Sequence, residues 1–347
     1  MGMKNNKSGG AKRTMLVVLC CVLAVILAGL LVVTILVNNL LGQVQRPEET
    51  TLSSSEIEDF LNDNMVTGTG PVISDEDIDF GTEPTEVIED NELINILLIG
   101  QDARTAASWQ KSEVMILCTF NKNAKTVTTT SFLKDMYVQI PGHGNNKLNV
   151  AYTIGGMKLL RQTLQENFGV HIDGCVAVNF GGFIKLIDMV GGVEIGLTAG
   201  EASYLNENGN WGVTSHNGWN LKQGKNVLSG AQALGYSRIF VLDSEMARTG
   251  RQRNVIAALI QQAKKKNLVE LYDLAKEAAA MISTDMSDNQ IKEYITKVAP
   301  LLMDLNLITQ RIPADGSYSY QNVESAGYCA VIDFDANRKL LAETLNP

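Results

Sequence analysis

The 347-residue chain has only three histidines, His143, His171 and His216, in separate segments without metal-ligand spacing, which argues against a zinc centre. It also lacks a G-x-S-x-G elbow, a Walker A loop and a G-x-G-x-x-G fingerprint, so esterase-type and nucleotide-binding readings lose ground. Cysteine is scarce: Cys20 and Cys21 sit in a long apolar run, and Cys118, Cys175 and Cys329 leave an odd number elsewhere. A disulfide framework is therefore not expected, and Cys118 to Cys175 is the single bridge to test. No internal repeat is visible. Nor is there a general basic excess: the formal charge is -9, and residues 93 to 347 carry 24 basic against 23 acidic side chains. Nucleic-acid binding needs a patch that neutralises a run of phosphates, so it is not expected.

What the chain does have is strong asymmetry. Residues 1 to 45 carry Lys4, Lys7, Lys12 and Arg13 and no acid, whereas residues 46 to 92 carry fifteen acids against Arg46 alone. Between them, Met15 to Val37 form 23 consecutive charge-free, mostly aliphatic residues. At about 1.5 Å per residue this run crosses a hydrocarbon core of roughly 30 Å. It is too long for the apolar stretch of a cleaved signal peptide and leads into Asn38-Asn39 rather than a small-residue cleavage site. The expected layout is a cytoplasmic tail over 1–14, a transmembrane helix over 15–37, an acidic flexible linker over 38–92 and an extracellular domain over 93–347. The preceding cations orient the amino terminus to the cytoplasm, making a single-pass protein of the cell membrane. The linker's Glu, Asp, Thr, Ser and Pro content predicts an extended tether with a reach of roughly 35 to 40 Å, interrupted by one short amphipathic helix near Ser55 to Leu61.

In the domain, apolar runs bounded by turn residues predict strands at 93–100, 113–120, 126–132, 174–179, 192–197 and 330–333. Helical spacing is read over 154–168, 180–190, 230–235, 252–265 and 269–281. Strands alternating with helices predict an α/β fold: a three-layer α/β/α domain with a mixed central sheet.

Polar clusters follow the strand ends, where open α/β sheets place ligand crevices. Asp102 and Arg104 follow the first strand; the acid offers hard oxygens to a divalent cation and the arginine a fork for phosphate, though a surface pair reads as well. Lys111-Ser112-Glu113 opens the second strand, and Lys134-Asp135 follows the third. Arg238, Arg248, Arg251 and Arg253 fall within sixteen residues, the last three opening a helix. They read equally as a pyrophosphate cradle and as a solvated basic helix start.

In order and spacing these clusters resemble the LytR-CpsA-Psr family of cell-envelope phosphotransferases. The matching segments are NILLIGQDAR (95–104), SFLKDMYVQIPG (131–142), KLNVAY (147–152), VNFGGFIKLIDMVGGVEI (178–195), LSGAQALGYSR (228–238) and ARTGRQRNVI (247–256). The resemblance implies transfer of a glycopolymer phosphate from an undecaprenyl-pyrophosphate carrier to a peptidoglycan hydroxyl, dependent on Mg²⁺. Pyrophosphatase activity is an expected side reaction. It implies metal binding by Asp102 and Glu113, pyrophosphate binding by Arg104, Lys134, Arg238, Arg248, Arg251 and Gln252, and a catalytic set of Asp102, Arg104, Lys134, Asp135, Arg238 and Arg248. Three positions depart from the family pattern: Glu113 and Lys134 stand where Asp and Arg are usual, and Phe240 where a second Arg is common. Those departures favour an alternative, a non-catalytic membrane-anchored receptor or regulator that binds lipid-linked precursors. The apolar residues of 154–168 and 180–190 would line a groove for a polyprenyl tail or pack as ordinary core.

Overall fold

The computed structural model describes residues 38–46, 52–63, 65, 68, 70–82, 92–101, 112–207, 219–298 and 306–345. The expected membrane span, Asp102, Arg104 and Lys111 lie outside these residues. No helix among the described residues is long and apolar enough to cross a membrane.

The centre is a six-stranded mixed sheet. Its strands are β2 (Leu93–Gln101), β3 (Ser112–Asn121), β4 (Thr126–Phe132), β7 (Gly174–Asn179), β10 (Ile282–Thr284) and β11 (Asn306–Ile312), in the order β10-β7-β2-β3-β4-β11. The pairs β2–β7 and β4–β11 are parallel and the other three antiparallel. The middle strands are apolar on successive residues because both faces are covered. Leu97, Ile99, Met115, Leu117, Cys175 and Ala177 belong to the main core. Their neighbours Leu98, Ile116, Val176 and Val178 line a large cavity instead, as the period-two pleat requires. Cys118 stands opposite Ile96 of β2, whose other neighbour β7 carries Cys175. Two strand spacings, roughly 10 Å, separate the cysteine strands, beyond disulfide reach. Cys118, Cys175 and Cys329 are free and buried.

Helix α2 (Leu148–Phe168) packs into the main core through Leu160, Leu164 and Phe168. It starts six residues earlier than its apolar spacing indicates and kinks at Gly155-Gly156, where Gly156 has φ of 59°. A hairpin of β5 (Tyr137–Ile140) and β6 (Gly144–Lys147) leads into it. The strand read at 192–197 is β8 (Val193–Leu197), paired with β9 (Gly224–Leu228) outside the central sheet. The strand read at 330–333 is β13 (Gly327–Ile332), in a small sheet with β12 (Tyr318–Val323) and β1 (Val72–Ile73). That β1 belongs to the expected linker, as does α1 (Ser54–Asp63), whose Ile57, Phe60 and Leu61 pack on the main core. Parts of the acidic segment are thus folded onto the domain, because its few apolar residues find a surface to cover.

A second core joins β8 and β9 to α3 (Phe180–Met189), α4 (Ala199–Glu207), α5 (Gly230–Arg238) and α6 (Glu245–Ala263). Side-chain caps fix three of these starts: Asn179 accepts from the Gly182 N–H at 2.8 Å, Ser229 forms a capping box with Gln232, and Ser244 accepts from the Ala247 N–H at 3.1 Å. Where α5 crosses α3, a Cβ on Gly230 would sit 2.1 Å from the Ile184 carbonyl oxygen. One buried ion pair ties α4 to α6: Arg251 Nε donates to Glu201 Oε1 at 2.7 Å, with both side chains under a tenth exposed. The remaining helices are α7 (Leu268–Ala279), α8 (Asp288–Val298) and α9 (Phe334–Leu345).

Two stability predictions follow from these contacts. Gly230→Ala must push α5 off α3 and should cost about 1–3 kcal/mol in a urea titration. Arg251→Ala strands the buried Glu201 carboxylate and should cost about 3–5 kcal/mol, whereas removing Lys225, exposed beside Glu194, should leave the unfolding curve unmoved.

Candidate active site

The geometry of the site begins with a bulge. Along β2 and β3, Gly100 pairs with Val114 but Gln101 pairs with Ser112, so Glu113 is the extra, unpaired residue. Strict alternation would turn Glu113 away from Val114; the bulge brings both to the large cavity. The strands also approach closely here, since a Cβ on Gly100 would meet the Val114 Cβ at 2.9 Å.

Lys134 and Asp135 occupy the turn between β4 and β5, held from three sides. Leu133 N–H donates to the Ile312 carbonyl at 2.9 Å, Ala330 N–H to the Asp135 carbonyl at 2.9 Å, and Asn149 N–H, from the first turn of α2, to the Lys134 carbonyl at 3.1 Å. Lys134 Nζ donates to Glu113 Oε2 at 2.7 Å, and Arg248 lies 3.7 Å from the same oxygen. Arg248 comes from the first turn of α6 and also pairs with Glu245, three residues earlier. Its Nε is buried and has no hydrogen-bond partner among the described residues. Glu113 Oε1 and the Asp135 carboxylate likewise take no hydrogen bond from a described residue. Burial raises the Glu245 carboxyl above its usual range, against the opposing pull of Arg248 and Lys134. Tyr320 is raised chiefly by burial and secondarily by the charges of Asp135 and Glu245.

Two cavities meet at Glu113. The larger, about 410 Å³, has aliphatic and aromatic walls from the β2–β3–β7 face, α3, α5 and α6, including Leu98, Ile116, Phe183, Leu234 and Leu259. Arg238, Arg248 and Gln252 are its polar lining beside Glu113, Ser237 and Asn179. The Arg238 guanidinium stands 4.8 Å over the Phe180 ring. The smaller cavity, about 180 Å³, is polar: Glu113, Lys134, Asp135, Lys147 and Asn149 line it beside Phe60 and Leu61 of α1.

Of the residues expected at the site, Glu113, Lys134, Asp135, Arg238, Arg248 and Gln252 are thus gathered around one junction. Arg251 is set apart from them. Besides Glu201, it donates from Nη1 to the Ile239 carbonyl at 2.9 Å and to Asp243 Oδ1 at 3.0 Å. Its donors are engaged by protein acceptors, and it lines neither cavity. The apolar groove follows the reading of 180–190 only, since α2 packs into the main core. Glu245 and Asn149 were not singled out in the sequence. The Glu245 signal was present in its i, i+3 spacing to Arg248; Asn149 carries none, because only the tertiary fold leaves its buried Oδ1 unpartnered. Among the described residues no three His, Cys, Asp or Glu side chains cluster as a metal site.

The chain has relatives among known proteins. The chain is 30% identical over 277 residues to the polyisoprenyl-teichoic acid–peptidoglycan teichoic acid transferase TagU of Oceanobacillus iheyensis, covering 77% of this chain and 80% of that one. It is 28% identical over 258 residues to the regulatory protein MsrR of Staphylococcus aureus, covering 73% and 74%. A solved structure of the LytR-CPS2A-psr protein YwtF (TagT) with bound octaprenyl pyrophosphate shares the fold with a TM-score of 0.56 at 23% identity, over 78% of this chain and 99% of that one. A profile of the LytR_cpsA_psr family matches residues 62–331, most of the chain, and the chain belongs to that family.

Proposed function

We propose that the chain is a transferase of the cell envelope that moves a phosphate-linked glycopolymer from a polyprenyl-pyrophosphate carrier, undecaprenyl in its native form, to a peptidoglycan hydroxyl. The observation that carries this reading is the junction of the two cavities. An apolar chamber for a lipid tail ends at Arg238, Arg248 and Gln252, which suit the two phosphates, and a polar chamber for a sugar opens beyond Glu113. The names of the transferase relative and of the lipid-bound structure support it. In the same reading the domain is an α/β/α layering anchored outside the cell membrane by residues 15–37, with its acidic segment partly folded back.

The chemistry is a displacement at phosphorus. The acceptor hydroxyl oxygen forms a bond to the glycan-side phosphorus, the anhydride P–O bond breaks, and its electron pair leaves on polyprenyl phosphate. Attacking and leaving oxygens lie roughly in line in such reactions. With the tail in the apolar chamber, the acceptor therefore enters from the polar one. Asp135, half-buried in that chamber with an uncommitted carboxylate, takes the hydroxyl proton. Lys134 and Arg248 hold Glu113 and Glu245 in the free protein and turn to the phosphates when the donor binds, and Arg248 Nε gains the acceptor it lacks. By the family resemblance, Arg104 is proposed as a further phosphate ligand. Arg251 fixes the segment before α6 and acts on the phosphates only by positioning Arg248. Water in place of the sugar gives the pyrophosphatase side reaction.

Glu113 fits Mg²⁺ as one oxygen ligand through its open Oε1, with Asp102 and the substrate phosphates as further oxygens, the usual manner in which this ion is held. When bound it would neutralise charge building on the phosphates.

The test is phosphate transfer from a short-chain polyprenyl-pyrophosphoryl sugar by the full chain in detergent, since Ile57, Phe60, Leu61, Ile73, Ile78 and Phe80 contribute to the cores. Arg248→Ala should lower turnover by about 10²–10³-fold, and Glu113→Gln should weaken the dependence on Mg²⁺. Asp135→Asn should lower kcat with KM little changed. Saturable donor binding with no turnover at any Mg²⁺ concentration would instead assign the chain as a receptor or regulator, the role that the name of its MsrR relative carries.

A further inference from the structure

Three consecutive large apolar residues lie uncovered at the rim of the large cavity. Phe240, Val241 and Leu242 are 56%, 57% and 44% exposed, and no other such run occurs among the described residues. Contiguous exposed apolar surface in a folded domain marks a contact with a partner or a membrane.

The run is not a loose loop. Ile239, immediately before it, is fully buried in the second core, and Asp243, immediately after it, is held by Arg251. One guanidinium therefore grips both ends, through the Ile239 carbonyl and the Asp243 carboxylate, while Glu201 anchors the guanidinium itself. The Asp243 N–H closes the turn on the Phe240 carbonyl at 3.3 Å. The three side chains are thus pushed into water by a backbone fixed from below. A pre-ordered tip of this kind loses little conformational freedom when it enters an apolar medium.

The occupant is argued from continuity. Phe240 is exposed on the outside and also lines the cavity, whose walls behind it are Leu, Ile, Val and Phe. Phe240 therefore presents apolar surface both to the exterior and to the chamber. An aliphatic chain entering from a bilayer would cross no aqueous gap if the rim touched that bilayer. The 23-residue charge-free run at 15–37 keeps a bilayer within reach of the domain.

We propose that Phe240, Val241 and Leu242 form a rigid tip that inserts into the lipid surface and seats the mouth of the cavity against it. The purpose of the tip rests on the lipid-carrier reading above, but insertion is measured without any substrate, so the two can fail separately.

The experiment uses the full chain in lipid nanodiscs with Cys20 and Cys21 replaced by Ser. An environment-sensitive fluorophore is attached at Val241→Cys or, as a control, at Val72→Cys on β1, which is 66% exposed. The native Cys118, Cys175 and Cys329 are buried, and burial pushes the thiols of Cys118 and Cys329 up to about 12, so they escape labelling. The expected result is blue-shifted emission at 241 that is quenched by lipids spin-labelled on the acyl chain, with neither effect at 72. Adding Phe240→Ser and Leu242→Ser should abolish both effects at 241. Val241→Ser with Leu242→Ser should raise KM for a donor in a bilayer and leave KM for a short-chain soluble donor unchanged. A water-like, unquenched signal at 241 overturns the proposal, as does quenching equal at both sites. Self-association through the tip without quenching overturns it in favour of a second copy of the chain. If no variant turns over any donor, the carrier reading fails while the quenching result still decides insertion.

Discussion

The bulge at the end of β2 and β3 is the constraint on which the candidate site depends. A regular ladder sends neighbouring residues to opposite faces, so a carboxylate beside Val114 would point toward the main core and away from the cavity. One skipped pairing sends Glu113 and Val114 to the same side, at the line where an apolar chamber meets a polar one. The charge then recruits its surroundings. Lys134 reaches it from the β4–β5 turn and Arg248 from the start of α6, so segments separated by more than a hundred residues converge on one oxygen. A half-buried cation cluster of this kind is stable without ligand only if carboxylates neutralise it, and Glu113 and Glu245 do so.

Much of the fold was legible because it rests on burial periodicity. The strands at 93–101, 112–121, 126–132 and 174–179 are apolar runs covered on both faces, and the helix at 180–189 carries apolar spacing, whereas the helix at 245–263 starts seven residues before its reading at 252–265 because its first turns are polar. What escaped has a physical reason in each case. Strand β11, with sequence NLITQRI, is a half-exposed edge whose apolar signal is diluted by Asn306, Gln310 and Arg311. Strand β1 is two residues long inside an acidic segment, and its place is set by β12, about 250 residues away. The sequence marks the acidic segment as self-repelling, but repulsion does not prevent Ile57, Phe60, Leu61, Ile73 and Ile78 from covering apolar surface that would otherwise face water.

The site residues divide on the same principle. Arg248 and Arg251 stand three residues apart on one helix and are chemically identical, so no local rule separates them. Helical spacing sets them on neighbouring turns, and their surroundings differ. Arg248 faces the cavity junction and retains an orphaned Nε, whereas Arg251 turns inward to Glu201, Asp243 and the Ile239 carbonyl. Of the five N–H donors of a guanidinium, four on Arg251 already serve Glu201, the Ile239 carbonyl and Asp243, and turning the group to a phosphate would abandon a buried carboxylate, a cost that weighs against direct binding.

Two departures from the family pattern, weighed separately in the sequence, are a single contact in the structure. Glu113 is one methylene longer than the usual Asp, and Lys134 replaces a broad planar fork with a slimmer ammonium. The two side chains meet at 2.7 Å. The extra reach of the acid meets a cation that offers one point of contact instead of two. The third departure, Phe240, sits on a different surface and answers to a different force. An arginine there would add charge at the rim of an already basic mouth, whereas phenylalanine extends the apolar wall of the chamber outward into the exposed tip. The substitutions therefore do not read as a steady erosion of one site. The first two conserve charge complementarity at the cavity junction, and the third puts an apolar side chain at the rim, where attraction is hydrophobic and salt does not screen it.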